Sequence, residues 1–270
     1  MKNSFLFAFM IAVALTACKK DDTPSTGGST PTGVTITSTD LGNAGDTMLM
    51  NVDTTNLPTL SFAPGQNLTW DISMVGIDKI DTIAFLTPAN TPGHSYFPTA
   101  NIAMQPEAGQ PIYMYLLKGT DKVEGLGIWA DVQGTQVHAE YTDKPILIKF
   151  PMSYNSAYSD SAYLETILNM NGQFIKSEMI QKITSNVDAS GTIKLPNSVQ
   201  FSCIREKHME ININNIYWSL SQSGPWTLYQ SSKDTSYDYN FFAKGQKWNV
   251  ATISVKNFTN NTIKEIAYKK

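Results

Sequence analysis

Thr166-Ile167-Leu168-Asn169-Met170-Asn171-Gly172-Gln173-Phe174-Ile175-Lys176-Ser177 is the stretch that decides the fold class. Two alternating runs flank Asn171-Gly172, and Asn-Gly is the dipeptide that most readily supplies the positive φ angles of a two-residue hairpin turn. A helix from Phe174 to Ile183 is also open, since Phe174, Ser177, Ile180 and Lys182 are not hostile to it. The alternation favours strand.

The same chemistry recurs on both sides of this hairpin. Leu68, Trp70 and Ile72 alternate with Thr69, Asp71 and Ser73 after the Pro64-Gly65 turn. Val34 to Thr39 reads as strand, Met48 to Val52 as a short apolar run, and Ile77, Ile80, Ile83 and Phe85 as another alternation. Ile112 to Leu117 reads as a central strand. Gln136 to Tyr141 turns Val137, Ala139 and Tyr141 one way, with His138 and Glu140 on a wet side. Val199 to Lys207 starts a further strand, Met209, Ile211 and Ile213 continue one apolar face, and Trp248 to Val255 is expected to close the domain. Twelve or so short strands without a sustained helical period imply an all-β, mainly antiparallel fold. A curved sheet or half-barrel and a β-sandwich both satisfy that pattern. It occupies residues 34–270 as one β-rich domain, with a possible subdivision near 150.

Upstream, Lys2 precedes ten residues, Phe5 to Ala14, without charge or strong polarity. This is a signal-peptide h-region, too short to span about 30 Å of hydrocarbon. It ends in Leu15-Thr16-Ala17-Cys18, which resembles a bacterial lipobox. The resemblance implies removal of residues 1–17 and lipid attachment (diacylglycerol on sulfur, an acyl chain such as palmitate on the new amino terminus) at Cys18. Several acyl chains give an anchor that one cannot. Lys19, Lys20, Asp21 and Asp22 resemble the lysine-plus-acidic export signal of Bacteroidota surface lipoproteins. That implies an outer-membrane protein facing outward, with the periplasmic leaflet as the alternative. The rest of the segment 18–33 is Thr-, Ser-, Pro- and Gly-rich with nothing to bury. It reads as a disordered tether spanning roughly 18 Å.

After loss of Lys2 the chain carries 19 basic and 23 acidic residues. No basic patch survives, so nucleic acid is not an expected partner. With Cys18 lipidated, Cys203 stands alone and reads as a buried thiol rather than a nucleophile. His94, His138 and His208 lack metal-ligand spacing, and His208 beside Glu206 and Glu210 reads as a solvated strand face, as does His138 beside Glu140. No phosphate loop, nucleophile elbow or Cys-x-x-Cys is present, so neither a metal, a cofactor nor catalytic residues are expected.

Gly65 to Ser73, Phe97 to Asn101, Leu147 to Tyr154 with Ser159 to Ser161, Gly191 to Pro196, and Tyr217 to Ser219 with Pro225 together resemble an uncharacterised family of Bacteroidota cell-surface and secreted proteins. That resemblance brings no activity. Family members often end in a sorting domain, and a chain stopping at Lys270 without one fits a lipid anchor instead. The strand, Leu195-Pro196 turn, strand unit is similar to an element of LolA-like carriers, which implies a half-barrel holding an apolar ligand. Asp-Thr/Ser-apolar triplets resemble Bacteroidota O-glycosylation acceptors and mark Thr47, Thr54, Thr82 and Ser161.

The functional expectation is a non-enzymatic binding module at the cell surface. Its partners are the membrane, through the N-terminal lipid, and a ligand that is an apolar molecule, a glycan or a protein. Trp218, Trp226, Tyr217 and Tyr229 around a Gly-Pro loop are the candidate contacts, since aromatic rings stack on sugars and grip partners. A structural or adhesion protein and a glycan hydrolase are the alternatives. A deep apolar pocket around Met114 and Leu116 points to carriage, a filled core with exposed Trp218 and Trp226 to surface recognition, and two facing acids in a cleft to an enzyme.

Overall fold

The computed structural model describes residues 33–132, 134–170 and 172–270. The signal segment, Cys18, Lys19 to Asp22, the tether through residue 32 and Asn171 lie outside the described residues.

Among the described residues fourteen strands run in order: β1 (Thr47–Asp53), β2 (Gly65–Asp71), β3 (Lys79–Leu86), β4 (Ile102–Gln105), β5 (Ile112–Lys118), β6 (Lys122–Val132) and β7 (Thr135–Asp143), then β8 (Ile146–Lys149), β9 (Ala157–Met170), β10 (Gln173–Lys194), β11 (Gln200–Ser219), β12 (Thr227–Ala243), β13 (Asn249–Val255) and β14 (Ile263–Lys269). The antiparallel all-β reading holds, and the sheet goes past a half-barrel to full closure. β11, β12, β13, β14, β1, β3, β4, β5, β6, β7, β9 and β10 lie edge to edge, and β10 pairs back onto β11, making a barrel of twelve strands. Within the barrel, closure leaves no free sheet edge to template aggregation. β8 extends the wall beside β6, and β2 runs parallel to the end of β10.

Side chains alternate between lumen and outside along every strand. Met48, Ile83, Met104, Met114, Ile128, Val187, Ile204 and Phe242 point inward and pack with Ile36, Phe150, Met152 and Trp248 into an apolar plug at one end, the floor. Outside, two segments lie over the wall. The strap formed by residues 57–76 sets Phe62, Trp70, Ile72 and Val75 against Tyr239, Phe241, Ile253 and Ile266. Burying each such side chain stabilises by about 1.5–3 kcal/mol. The stretch 88–100 seats Phe97 on Tyr115, rings stacked at 4.4 Å, beside Trp129.

Three expectations change. Val34 to Thr39 is not a strand: Ile36 makes one bridge to Met152, and a 3-10 turn, Ser38–Asp40, follows. The Asp40 carboxylate winds it by accepting from the Thr37 amide at 2.8 Å and the Thr37 hydroxyl at 3.0 Å. Trp248 to Val255 does not close the domain, because β14 follows and joins β13 to β1. The strands are not uniformly short: β10, β11 and β12 run 22, 20 and 17 residues. β9 meets β10 in the expected hairpin, with Gly172 at φ 84° and Met170 paired to Gln173. Among the described residues, no strand flanks β9 beyond Glu165 or β12 before Asp238, so β9 to β12 continue past the barrel rim as a four-stranded ribbon.

Candidate functional site

Above the floor the inward face of β11 changes character. Ile204 belongs to the plug, and the next inward residues are Glu206, His208, Glu210 and Asn212. The strand register spreads this polarity around the lumen in rows. Glu206 lies opposite Val187 on one side and Asn240 on the other, with Thr252 beyond. His208 lies between Ser185 and Asp238, and the row runs on through Ser254 to Glu265. Glu210 lies opposite Ile183, and Asn212 opposite Gln181.

This overturns the reading of Glu206, His208 and Glu210 as a solvated strand face. Glu206 is 2 % exposed, and it is Met209, Ile211 and Ile213 that face outward, half-buried. Alternation says which residues share a face. It does not say which face the barrel encloses.

Buried charge needs partners. Ser185 Oγ donates to Glu206 Oε1, and Asn240 Nδ2 donates to Oε2 at 3.0 Å. His208 Nδ1 lies 3.6 Å from Glu206 Oε1, and its Nε2 lies 3.9 Å from Glu210 Oε2. Asn212 Nδ2 donates to Glu210 Oε1 at 2.6 Å. Burial alone disfavours the imidazolium, but the flanking glutamates outweigh it and push His208 up to about 10. Burial likewise opposes ionisation of both glutamates, and His208 with the amide and hydroxyl donors outweighs it, holding both carboxyls below their ordinary value. Burial raises Asp238 and Glu265, whose carboxylates have no cation within 4.0 Å among the described residues.

Toward the ribbon the inward face turns apolar again. Leu168, Ile175 and Trp218 form one row, a partly exposed shelf above the polar wall, and half-buried Met179 and buried Leu164 lie in another. Trp218 is 38 % exposed, and Met170, Leu220, Leu228 and Tyr229 stand open to solvent at the ribbon tips.

The structure separates the four candidate aromatics. Trp218 sits on the shelf. Tyr217 and Trp226 lie on the outer face, where the Lys176 ammonium is 4.6 Å from one ring centre and 5.5 Å from the other. Glu178 and Glu165 hold that lysine at 2.5 and 3.7 Å, so both rings already carry a cation. Tyr229 is exposed on β12. Of the candidate glycosylation positions, Thr47, Thr54 and Ser161 are exposed and Thr82 is half-buried in β3; Thr54 Oγ1 donates to Asp78 at 2.7 Å. Met114 and Leu116 belong to buried core packing, not to a deep cavity. Cys203 is buried under the strap, and burial pushes its thiol up to about 12. Among the described residues no three His, Cys, Asp or Glu side chains converge as metal ligands.

Sequence reasoning missed the inner wall, Gln181, Glu206, His208, Glu210, Asn212 and Asp238. The only signal for it was the length of the alternating run on β11, with charges on one face and isoleucines on the other. No family model, curated protein or solved structure matches the chain.

Proposed function

We propose that this chain is a lipid-anchored, non-enzymatic binding module of the outer membrane, displayed at the cell surface, that takes a small ligand at the barrel mouth. The observation that carries this reading is the apolar shelf of Leu168, Ile175 and Trp218 running down onto a buried polar wall. A barrel interior needs no acids for stability, and burying them costs several kcal/mol per charge unless they are compensated. Such an expense fits recognition better than packing. A ligand with both an apolar and a polar part matches shelf and wall together. A purely apolar cargo fits less well, because the core around Met114 and Leu116 is filled.

Two features favour binding over catalysis. His208 is held as an imidazolium by two glutamates, so it is not free to act as a general base near neutral pH. Glu206 and Glu210 are both committed to that same histidine rather than facing each other across a cleft. The place of Ile36 in the fold bears on how an anchored barrel is oriented. Ile36 packs into the floor, at the end away from the shelf, so an anchor at Cys18 holds the mouth away from the membrane.

The test is a thermal-shift screen of small amphipathic compounds on the full chain carrying Cys18→Ala, so that no lipid is attached, with and without Trp218→Ser. Compounds that stabilise the first protein should lose about tenfold in affinity on the second. If no compound separates the two, the mouth is not a binding site.

A further inference from the structure

We infer that the polar wall of the mouth receives a primary ammonium group, seated against Glu210 beside the side-chain carbonyls of Gln181 and Asn212; this rests on the binding-module reading and names its ligand class. An ionised carboxylate only accepts hydrogen bonds, so Glu210 fixes how both neighbouring amides turn. Asn212 gives it its NH2 group at 2.6 Å, and the Gln181 amide turns to the same carboxylate. The consequence falls on the other end of each amide. Gln181 Oε1 and Asn212 Oδ1 are both buried and without a partner among the described residues. Gln181 is only 6 % exposed and lies directly across from Asn212 on the adjoining strand. A buried orphan carbonyl costs about 1–3 kcal/mol, and here two stand together beside one carboxylate.

Charge points the same way. Glu206, Glu210, Asp238 and Glu265 face the lumen rows with His208, while Lys79 is already paired to Asp81 at 2.9 Å and Lys264, which acts on Asp238 and Glu265 from a distance, makes no ion pair within 4.0 Å with either among the described residues. The wall therefore carries more negative charge than its own cations neutralise, and the orphan carbonyl dipoles add to it. The Glu210 side chain keeps 23 % of its surface open, which leaves it within reach of a ligand. A modest turn about the soft terminal torsion of either amide then brings its oxygen onto the ligand. Three N–H donors and one positive charge match two carbonyls and one carboxylate. A quaternary ammonium has no donor to offer, and a hard metal ion needs six or more oxygens. Half-buried Met179, one row above and paired with buried Leu164, offers the apolar surface for a short alkyl chain.

The experiment is calorimetric titration of the full chain carrying Cys18→Ala with n-butylammonium, and with n-butanol as its uncharged counterpart. Butylammonium should bind saturably and butanol should not. Glu210→Gln should weaken butylammonium at least tenfold, and Asn212→Asp, which adds charge while keeping an acceptor, should tighten it severalfold. The second variant decides the matter if the first does not fold, since a merely structural Asn212 gives no gain in affinity. Equal behaviour of amine and alcohol, or no tightening with Asn212→Asp, overturns the inference. If the amphipathic compounds still separate the parent from Trp218→Ser while amine and alcohol behave alike, the ligand class is wrong and the binding module stands. If neither test separates, both readings fall.

Discussion

Arg205 shows how a single residue fastens the strap. Its side chain is fully buried on the outer face of β11, and it grips Asp188 through Nε at 2.9 Å and Nη2 at 3.0 Å. Nη2 also donates to the Phe62 and Ala63 carbonyls, and the guanidinium lies 4.9 Å from the Tyr239 ring centre and 5.3 Å from that of Trp70. Only a planar fork does all of this at once. Arg205→Ala should therefore cost about 3–5 kcal/mol in urea unfolding, and Arg205→Lys should recover little of it. Inside the barrel, His208 gives stability a pH dependence whose sign is fixed. Its folded value of about 10 lies above the ordinary 6.5, so its contribution is complete below about 6.5 and is lost progressively as pH rises through 10. Glu206 and Glu210 act oppositely: their contribution is present above the ordinary carboxyl range and is lost as pH falls through their lowered folded values. His208→Gln should flatten the decline in urea midpoint between pH 7 and 10; an unchanged alkaline limb refutes the assignment.

At the scale of elements, the sequence made the hairpin legible and the enclosure illegible. Asn171-Gly172 with its flanking alternation is local chemistry, and β9 and β10 follow from it. So does β7, whose Ala139 and Tyr141 are buried while Glu140 is exposed. On β11 the same logic groups His208 with Glu206 and Glu210 but leaves their direction open, because inside and outside are set by ring closure and by what covers the outer wall. That cover is the strap, whose strand β2 runs parallel to β10, a pairing between residues more than a hundred positions apart that no local pattern announces. The candidate aromatics fail to gather for a related reason: Tyr217 and Trp218 are neighbours in sequence, and a strand sends neighbours to opposite faces. Gly191 is where β2 comes closest. A Cβ there meets the Leu68 carbonyl oxygen at 2.0 Å and the Leu68 nitrogen at 2.6 Å, and backbone cannot step aside as a side chain can. Gly191→Ala should thus part β2 from β10 and destabilise by about 1–3 kcal/mol, with new proteolytic cleavage within residues 57–76 as the local readout.

For the whole molecule, the distribution of polarity along the barrel axis ties architecture to orientation. The floor is an apolar plug that takes in Ile36 at the start of the described chain, the middle is the polar wall, and the far end is the shelf and the ribbon tips. The outer faces of β9 and β10 carry Ser159, Ser161, Glu165, Lys176, Glu178, Lys182 and Thr184 interleaved with Tyr163, Ile167, Phe174 and Ile180. A lipid at Cys18 would then join the membrane to the floor and leave the tips pointing outward, with the tether setting the distance. A thiol reporter at the tips tests this without disturbing the fold. Cys203 is buried and its thiol is raised to about 12, so it stays silent toward maleimides at neutral pH. Ser223 is exposed in the loop between β11 and β12, and Ser223→Cys supplies one reactive position. On intact cells a membrane-impermeant maleimide should label Ser223→Cys and leave the parent protein unlabelled. Labelling that appears only after the outer membrane is permeabilised places the barrel on the periplasmic side. Combining the reporter with Cys18→Ala should move the labelled protein from the membrane fraction to the soluble one, and retention at the membrane would remove Cys18 as the anchor.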